Sequence, residues 1–136
     1  MSRLILLCLL SALTACETVP SQSKKVGIAR ITFYNKHEDK YGNRIACSKI
    51  RRATRGRTVA AESTFPFGTI VAIPWLAKLL GNGRYVVEDR GGAVERRRAS
   101  YGTTPVFDFY TETKKETNYL AAIVPPYLPY EIQIQR

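Results

Sequence analysis

Two short segments between positions 85 and 110 constrain the fold most strongly, because each combines β-type residues with a single aspartate. The first reads Tyr-Val-Val-Glu-Asp and ends at Asp89, and the second reads Val-Phe-Asp-Phe-Tyr around Asp108. Side chains alternate between the two faces of a sheet, so Asp108 is predicted to point away from the neighbouring phenylalanine rings. A buried carboxylate is energetically costly. Two interpretations are open: the aspartates face water at a turn and a strand surface, or they form a functional site.

The chain is strongly basic, which restricts the partners that it favours. Lysine and arginine number 21 against 11 acidic residues, giving a formal charge of +10 over 136 residues. That length predicts one domain. A charge of this sign favours polyanions: nucleic acid, anionic lipid headgroups or acidic cell-wall polymer. Charge alone does not choose among the three.

The first sixteen residues have the layout of a bacterial export signal. Arg3 supplies an early positive charge, an apolar run covers residues 4–10, and Leu-Thr-Ala-Cys follows at residues 13–16. The apolar run is much shorter than the about 20 residues that a membrane-spanning helix needs, so residues 1–15 are predicted to be a signal peptide. The last four residues resemble a lipobox, which implies lipidation of Cys16 and a membrane anchor. The alternative is an ordinary signal peptide with a chance cysteine.

A polar tether at residues 16–25 is predicted to join this anchor to a domain at residues 26–136. An aspartate directly after the lipobox cysteine would resemble an inner-membrane retention signal. This chain has Glu17 at that position, which favours the outer membrane, with the domain facing the periplasm. Exported proteins do not normally meet nucleic acid, so we expect no nucleic-acid partner. The expected partners are the membrane and the envelope polymer, and we expect a monomer.

Cysteine and histidine are too sparse to predict a metal centre, and we expect no cofactor. Cys47 is the one cysteine outside the predicted signal and lipobox, and it fits a small, semi-buried position. His37 is either a solvated loop residue or a catalytic one. A run of basic residues is either a solvated loop or a surface that binds acidic polymer. It consists of Lys49, Arg51, Arg52, Arg55 and Arg57.

Alternating apolar residues and turn signals predict about six short strands and one helix. Thr113 and Glu116 form a capping box for a helix that should end near Ala122, before two prolines. A closed all-β barrel is the predicted fold, because closure removes exposed strand edges. The predicted strands cover residues 26–34, 59–62, 70–74, 84–88, 106–110 and 130–135.

Three segments, in order, resemble the three-aspartate (3D) domain, a relative of the rare-lipoprotein-A and barwin/expansin group. Residues 60–69 resemble its Ala-Ala-x-x-x-x-Pro-x-Gly-Thr block, residues 89–93 its acid-x-Gly-Gly-Ala block, and residues 107–110 its apolar-Asp-apolar-Tyr strand. The resemblance covers residues 29–133 and implies a six-stranded double-psi β-barrel. It also implies action on the glycan strands of peptidoglycan, as in lytic transglycosylases that bear such a domain. The chain departs from the pattern at the first aspartate, which is Glu62 here, and in a longer, arginine-rich loop over residues 95–105.

The resemblance makes three acids the candidate catalytic group. Asp108 is the predicted acid/base, because flanking phenylalanines and a second carboxylate favour its protonated form. Asp89 is the predicted hydrogen-bonding or electrostatic partner, and Glu62 is the third candidate. The candidate sugar-binding residues are Tyr34, Thr69, Arg90, Gly91, Gly92 and Tyr110.

Three classes of function remain open at this point. A lytic transglycosylase needs one acid/base, which protonates the leaving oxygen and then takes the proton of the muramic-acid C6 hydroxyl. A non-catalytic module, similar to expansin-like relatives, would bind glycan in the same cleft. An envelope adaptor would use the basic face and carry vestigial acids.

Overall fold

The computed structural model describes residues 24–38 and 42–133, which are mostly β-sheet. Within these ranges, six strands form one sheet, accompanied by few and short helices. The strands are β1 (Lys24–Tyr34), β2 (Thr58–Ala60), β3 (Ile70–Ala72), β4 (Arg84–Asp89), β5 (Val106–Tyr110) and β6 (Tyr127–Gln133). The helices are α1 (Gly92–Glu95) and α2 (Lys114–Ile123), with 3-10 turns at Pro74–Lys78 and Arg98–Ser100. The six predicted strands and the predicted helix after Thr113 are confirmed, but the prediction of one helix missed α1.

The domain begins slightly earlier than predicted. Lys24 and Lys25 belong to β1, where they pair with Gln133 and Ile132 of β6, rather than to the tether. The predicted signal peptide, Cys16 and the rest of the tether lie outside the described residues. Among the residues that are described, none of the helices has the length and apolarity needed to cross a membrane.

The strand pairings close on themselves. The order is β1-β5-β2-β4-β3-β6, and β6 pairs again with β1. The pairs β1–β5 and β2–β4 are parallel, and the other four are antiparallel. Each of these six strands therefore has two neighbours, and none presents a free edge along its paired length.

Helix α2 begins and ends where the capping and proline signals predict. The Thr113 hydroxyl accepts a hydrogen bond from the Glu116 backbone N–H at 3.1 Å. The Glu116 carboxylate accepts from the N–H of Glu112, one residue before the N-cap, at 3.1 Å. The helix is tied to the end of β1, because the Asn35 amide donates to the buried Thr117 hydroxyl at 2.9 Å. This contact joins α2 to the residue that follows β1.

Alternation along β5 separates two apolar layers. Phe107 and Phe109 are fully buried in the main core, where the ring centroids of Phe109 and Tyr85 lie 4.7 Å apart. Val106 and Tyr110 belong instead to a second apolar cluster on the other face of the sheet. Asp108 shares that second face, which confirms that its carboxylate and the phenylalanine rings point in opposite directions.

Gly56 and Gly81 make a backbone approach that only glycine permits. Their φ angles are +76° and +68°, and a Cβ added to Gly81 would lie 2.5 Å from the carbonyl oxygen of Gly56. Both the positive φ and the short distance exclude an ordinary side chain at position 81. The contact joins the loop before β2 to the turn before β4.

Gly81→Ala is expected to lower the free energy of unfolding by more than the about 1–2 kcal/mol that a left-handed backbone alone costs an alanine. The additional loss arises because two backbone segments must separate. Gly68→Ala is the matched control, since its φ is +90° and nothing lies within 4 Å of an added Cβ. Urea unfolding of both variants measures the difference, and equal losses would contradict this account.

Candidate functional site

A cavity of about 580 Å³ opens against β1, β2, β4 and β5 on the face that carries Asp108. Its volume lies within the about 300–1,000 Å³ of typical ligand sites. Five of the predicted site residues line it: Asp89, Asp108, Tyr34, Arg90 and Gly91. The structure therefore brings the two aspartates into one concavity, together with a tyrosine and part of the Gly-Gly segment.

The two aspartates meet because both strands pair with the same short strand. Ala60 of β2 is the register partner of Asp108 on β5 and of Asp89 on β4. Partners on adjacent strands lie about 5 Å apart and share a face. Val59 of β2 pairs with Val87 of β4, but the next residue, Ala60, pairs with Asp89. Glu88 is therefore an extra residue in β4, and this bulge makes Asp89 the partner of Ala60. The small Ala60 side chain leaves space between the carboxylates.

Asp89 is held in place by three hydrogen bonds. Its Oδ2 accepts from the Tyr34 hydroxyl at 2.8 Å. Its Oδ1 accepts from the backbone N–H groups of Ala46 at 3.0 Å and Arg90 at 2.9 Å. The residue is only 5% exposed. Both oxygens are thus occupied, which makes Asp89 a fixed charge rather than a mobile reactive group.

The surroundings of Asp108 differ from those of Asp89 and favour a protonated carboxyl group. The Thr32 hydroxyl, on the adjacent strand β1, donates a hydrogen bond to the Oδ1 atom of Asp108 at 2.8 Å. Burial raises the pKa of Asp108 to about 7; the charges of Glu38 and Asp89 act in the same direction, and the Thr32 hydrogen bond opposes them. A carboxylic acid that is partly protonated near neutrality can both donate and accept a proton.

Glu38 is a cavity residue that the sequence did not single out. It lines the same concavity as the two aspartates, and its charge helps to raise the Asp108 pKa. Its neighbour His37 is exposed and is not among the cavity-lining residues, which favours the solvated loop residue over the catalytic one. An acid in a polar loop carries no periodic signal, so only the folded loop could reveal its position.

Glu62, the third predicted acid, does not line the cavity with the other two. Its buried carboxylate accepts two hydrogen bonds from the Arg97 guanidinium, at 2.7 and 2.6 Å, and one from the Thr64 hydroxyl at 2.7 Å. The Arg97 hydrogen bonds are the main cause of its lowered pKa. A carboxylate held ionised in this way is poorly suited to donate a proton, so its role is to hold the arginine-rich loop.

Three predicted sugar-binding residues are also absent from the cavity lining. Tyr110 is 1% exposed and packs edge-on against Tyr34, with ring centroids 5.5 Å apart. Gly92 opens α1. Thr69 lies in a second cavity of about 420 Å³ beside Lys25, and its hydroxyl donates to the Pro66 carbonyl at 2.6 Å. Their positions in motifs did not reveal that Tyr110 and Thr69 point away from this cavity and that Gly92 lies outside its lining.

Arg90 lines the cavity, but the fold already uses its guanidinium. It donates to the carbonyl oxygens of Ala61 at 3.1 Å and Phe65 at 2.8 Å. It also stacks over the Phe67 ring, 4.0 Å from the centroid. Arg90 therefore builds the wall of the cavity and links β4 to the loop after β2.

Much of the basic run is paired with acids rather than freely solvated. Glu88 is 2% exposed and accepts hydrogen bonds from Arg51 at 2.7 Å and Arg57 at 2.8 Å. Burial opposes ionisation of Glu88, but these arginines and the Thr58 hydroxyl outweigh it, and its pKa is lowered. Arg55 pairs with Glu116. These three arginines are therefore structural.

Cys47 lies in the loop that precedes the basic run. It is exposed, so the prediction of a semi-buried position is wrong.

Comparison with known proteins assigns no family to the chain. No protein-family model matches it, and a search of curated proteins finds no significant match. Over the described residues, no group of three or more histidine, cysteine, aspartate or glutamate side chains is arranged to hold a metal ion.

The raised pKa of Asp108 predicts a specific pH dependence of stability. Its pKa is higher in the folded state than the ordinary value of 3.8, so its favourable contribution is complete below 3.8 and is lost as the pH rises toward about 7. Asp108→Asn removes this titration. Urea unfolding of both proteins across that window should therefore show the variant gaining relative stability as the pH rises.

Glu62 and Glu88 provide the internal reference for this measurement. Their pKa values are lowered from 4.5, so their contribution is present above that pH and is lost in acid. Both groups remain in Asp108→Asn and cancel in the comparison. A difference in stability that stays constant from acid to neutral pH would refute the assignment to Asp108.

Proposed function

We propose that this protein is a cell-envelope lipoprotein that cleaves the glycan strands of peptidoglycan as a lytic transglycosylase. The observation that carries the proposal is the shared cavity in which Asp108, with a pKa of about 7, lies beside the anchored carboxylate of Asp89. Lipidation of Cys16 would anchor the domain, with the outer membrane as the proposed location. The order of the three sequence motifs supports the relationship to the 3D domain.

The finer fold that we propose is the double-psi β-barrel of that group. The closed order of six strands and the two parallel pairs within a largely antiparallel sheet support it. In this arrangement, the parallel partners β1 and β5 contribute Thr32 and Asp108 to the cavity, and β4 contributes Asp89.

The proposed reaction uses Asp108 in both directions. The protonated carboxyl donates its proton to the glycosidic oxygen as the bond from that oxygen to muramic-acid C1 breaks. The resulting carboxylate then takes the proton of the C6 hydroxyl, whose oxygen bonds to C1 and forms the 1,6-anhydro ring. No water is consumed, and Asp108 returns to its protonated form.

Asp89 is proposed to stabilise the positive charge that develops on the sugar ring. A fixed carboxylate needs no reorganisation when that charge appears. Glycoside hydrolases usually use a second carboxylate as nucleophile or base. Both oxygens of Asp89 already accept hydrogen bonds from Tyr34 or backbone N–H groups, which favours the electrostatic role and a one-acid mechanism.

Asp108→Asn is expected to abolish the release of anhydro-muropeptides from sacculi while leaving wall binding intact, because the amide cannot transfer the proton. Mass spectrometry of the soluble products makes the measurement. Glu112→Gln is the matched control, since Glu112 is exposed and lies outside the cavity-lining set. Unchanged release by Asp108→Asn would end the assignment.

The same assay separates the other two classes of function. Binding to sacculi without anhydro products from the wild type would favour the non-catalytic module. Binding that is weakened by salt and unchanged by substitution of the acids would favour the adaptor.

Thr32→Val is expected to shift the alkaline limb of the activity profile to higher pH. The Thr32 hydroxyl donates to the Asp108 carboxylate and lowers its pKa, so valine removes a contact that favours the ionised form. The protonated acid should then persist to higher pH. Thr32→Ser keeps the hydroxyl and should retain the wild-type limb. Coincident limbs for wild type and Thr32→Val would show that Asp108 does not control the profile.

A further inference from the structure

Two arginines line the cavity, and only one of them is already engaged by the fold. Arg90 donates to the carbonyl oxygens of Ala61 and Phe65. Arg98 also lines the cavity. It is exposed and lies in the 3-10 turn before β5. Among the described residues, its guanidinium forms no ion pair and no hydrogen bond. As far as the described residues go, every donor of the Arg98 guanidinium is therefore available to a ligand.

The cavity acids do not neutralise this cation. Glu38, Asp89 and Asp108 line the same concavity, yet within the described part of the chain no carboxylate lies within 4 Å of the Arg98 guanidinium. At Glu62 and Glu88, by contrast, arginines pair closely with buried acids. A guanidinium that lines the same cavity as Asp108, and that has no carboxylate partner among the described residues, is a ready contact for an anionic group of the ligand.

The turn that carries Arg98 is strained and firmly held. It is bounded by two non-glycine residues in the left-handed region, Arg97 with φ +49° and Tyr101 with φ +53°. Such conformations persist only where the surroundings impose them. The two hydrogen bonds from Arg97 to buried Glu62 impose the first, and the Ser100 hydroxyl, 2.6 Å from the Thr104 carbonyl, closes the turn.

We propose that Arg98 is a specificity-determining residue that binds a carboxylate of the glycan ligand, and that Glu62 and Arg97 position it. The proposal rests on the proposed function and assigns a role to the arginine-rich loop. A guanidinium forms two parallel hydrogen bonds with a carboxylate, which gives both affinity and orientation. Two kinds of carboxylate occur on such a strand: that of the muramic-acid lactyl group, when it is free, and those of the stem peptide.

The central experiment compares Arg98→Gln with Arg96→Gln. Arg96 is exposed on the same loop but does not line the cavity, so both variants lose the same charge and only one loses the proposed contact. Calorimetric titration with soluble peptidoglycan strands should show binding weakened about tenfold or more in Arg98→Gln, the range expected for a charged hydrogen bond, and nearly unchanged binding in Arg96→Gln. Equal weakening in both variants would reduce the effect to general charge and overturn the proposal.

A neutral ligand tests whether the contact is to a carboxylate. Chitooligosaccharides of matched length have the same backbone linkage without lactyl or peptide groups. Their binding to Arg98→Gln and wild type should be equal, and a similar loss for both ligands would contradict carboxylate recognition. Strands with amidated stem carboxylates, and strands stripped of peptides by an amidase, identify the source. The contact is to the stem peptide if Arg98 matters only for unmodified strands, and to the lactyl group if it matters for stripped strands.

The positioning role of Glu62 has its own readout. Glu62→Gln should reduce the preference for anionic over neutral glycan, because the turn that presents Arg98 loses its ion pair. A merely destabilised fold would weaken binding of both ligands equally, and thermal unfolding checks that the variant is folded. An unchanged preference in a folded Glu62→Gln protein would remove Glu62 from the proposal.

These binding measurements separate the inference from the proposed reaction. If the wild type releases no anhydro products but Arg98 still discriminates between the ligands, the transglycosylase proposal fails and the carboxylate contact stands. If the wild type cleaves strands and Arg98→Gln leaves KM and binding unchanged, the reaction stands and the proposed contact fails.

Discussion

The pairing of one short strand with two others is the constraint on which the candidate site depends. Ala60 of β2 lies between Asp108 of β5 and Asp89 of β4 in the register of the sheet. A larger side chain at this position would fill the space between the carboxylates, and a different register would turn one of them toward the core. The register shift at Glu88 contributes to the same arrangement, because it brings Asp89 to the face of the sheet that carries the cavity.

Four carboxylates near this part of the sheet receive different roles from their partners. Arginine guanidiniums hold Glu62 and Glu88 ionised, and their pKa values are lowered. Asp89 is fixed by Tyr34 and two backbone N–H groups. Asp108 accepts a hydrogen bond from the neutral Thr32 hydroxyl, and burial raises its pKa. Among the described residues, Asp108 differs from Glu62 and Glu88 in having no arginine on its carboxylate, and from Asp89 in having one hydroxyl donor where Asp89 has three donors, so burial dominates its pKa.

The basic residues of the chain have equally distinct roles. Arg51, Arg55, Arg57 and Arg97 neutralise acids within the fold, and Arg90 binds backbone carbonyls. The large positive charge of the sequence therefore overstates the charge that is free to meet a partner. At the cavity, the available cation is concentrated at Arg98, on a strained turn that the buried ion pair between Glu62 and Arg97 stabilises.

Local pattern determined the strands, the capped helix and the opposite orientation of Asp108 and its phenylalanine neighbours, because each depends on residues within a few positions. It also identified both cavity aspartates, Tyr34, Arg90 and Gly91. Tertiary structure alone decided that Glu62, Thr69, Gly92 and Tyr110 lie outside the cavity lining and that Glu38 and Arg98 belong to it. The physical reason is that these assignments depend on partners distant in sequence: Glu62 meets Arg97 across 35 positions, and the Tyr110 ring packs against that of Tyr34 on the adjacent strand β1. Periodicity specifies the face from which a side chain leaves its strand, whereas the packing of loops against that face specifies what it meets.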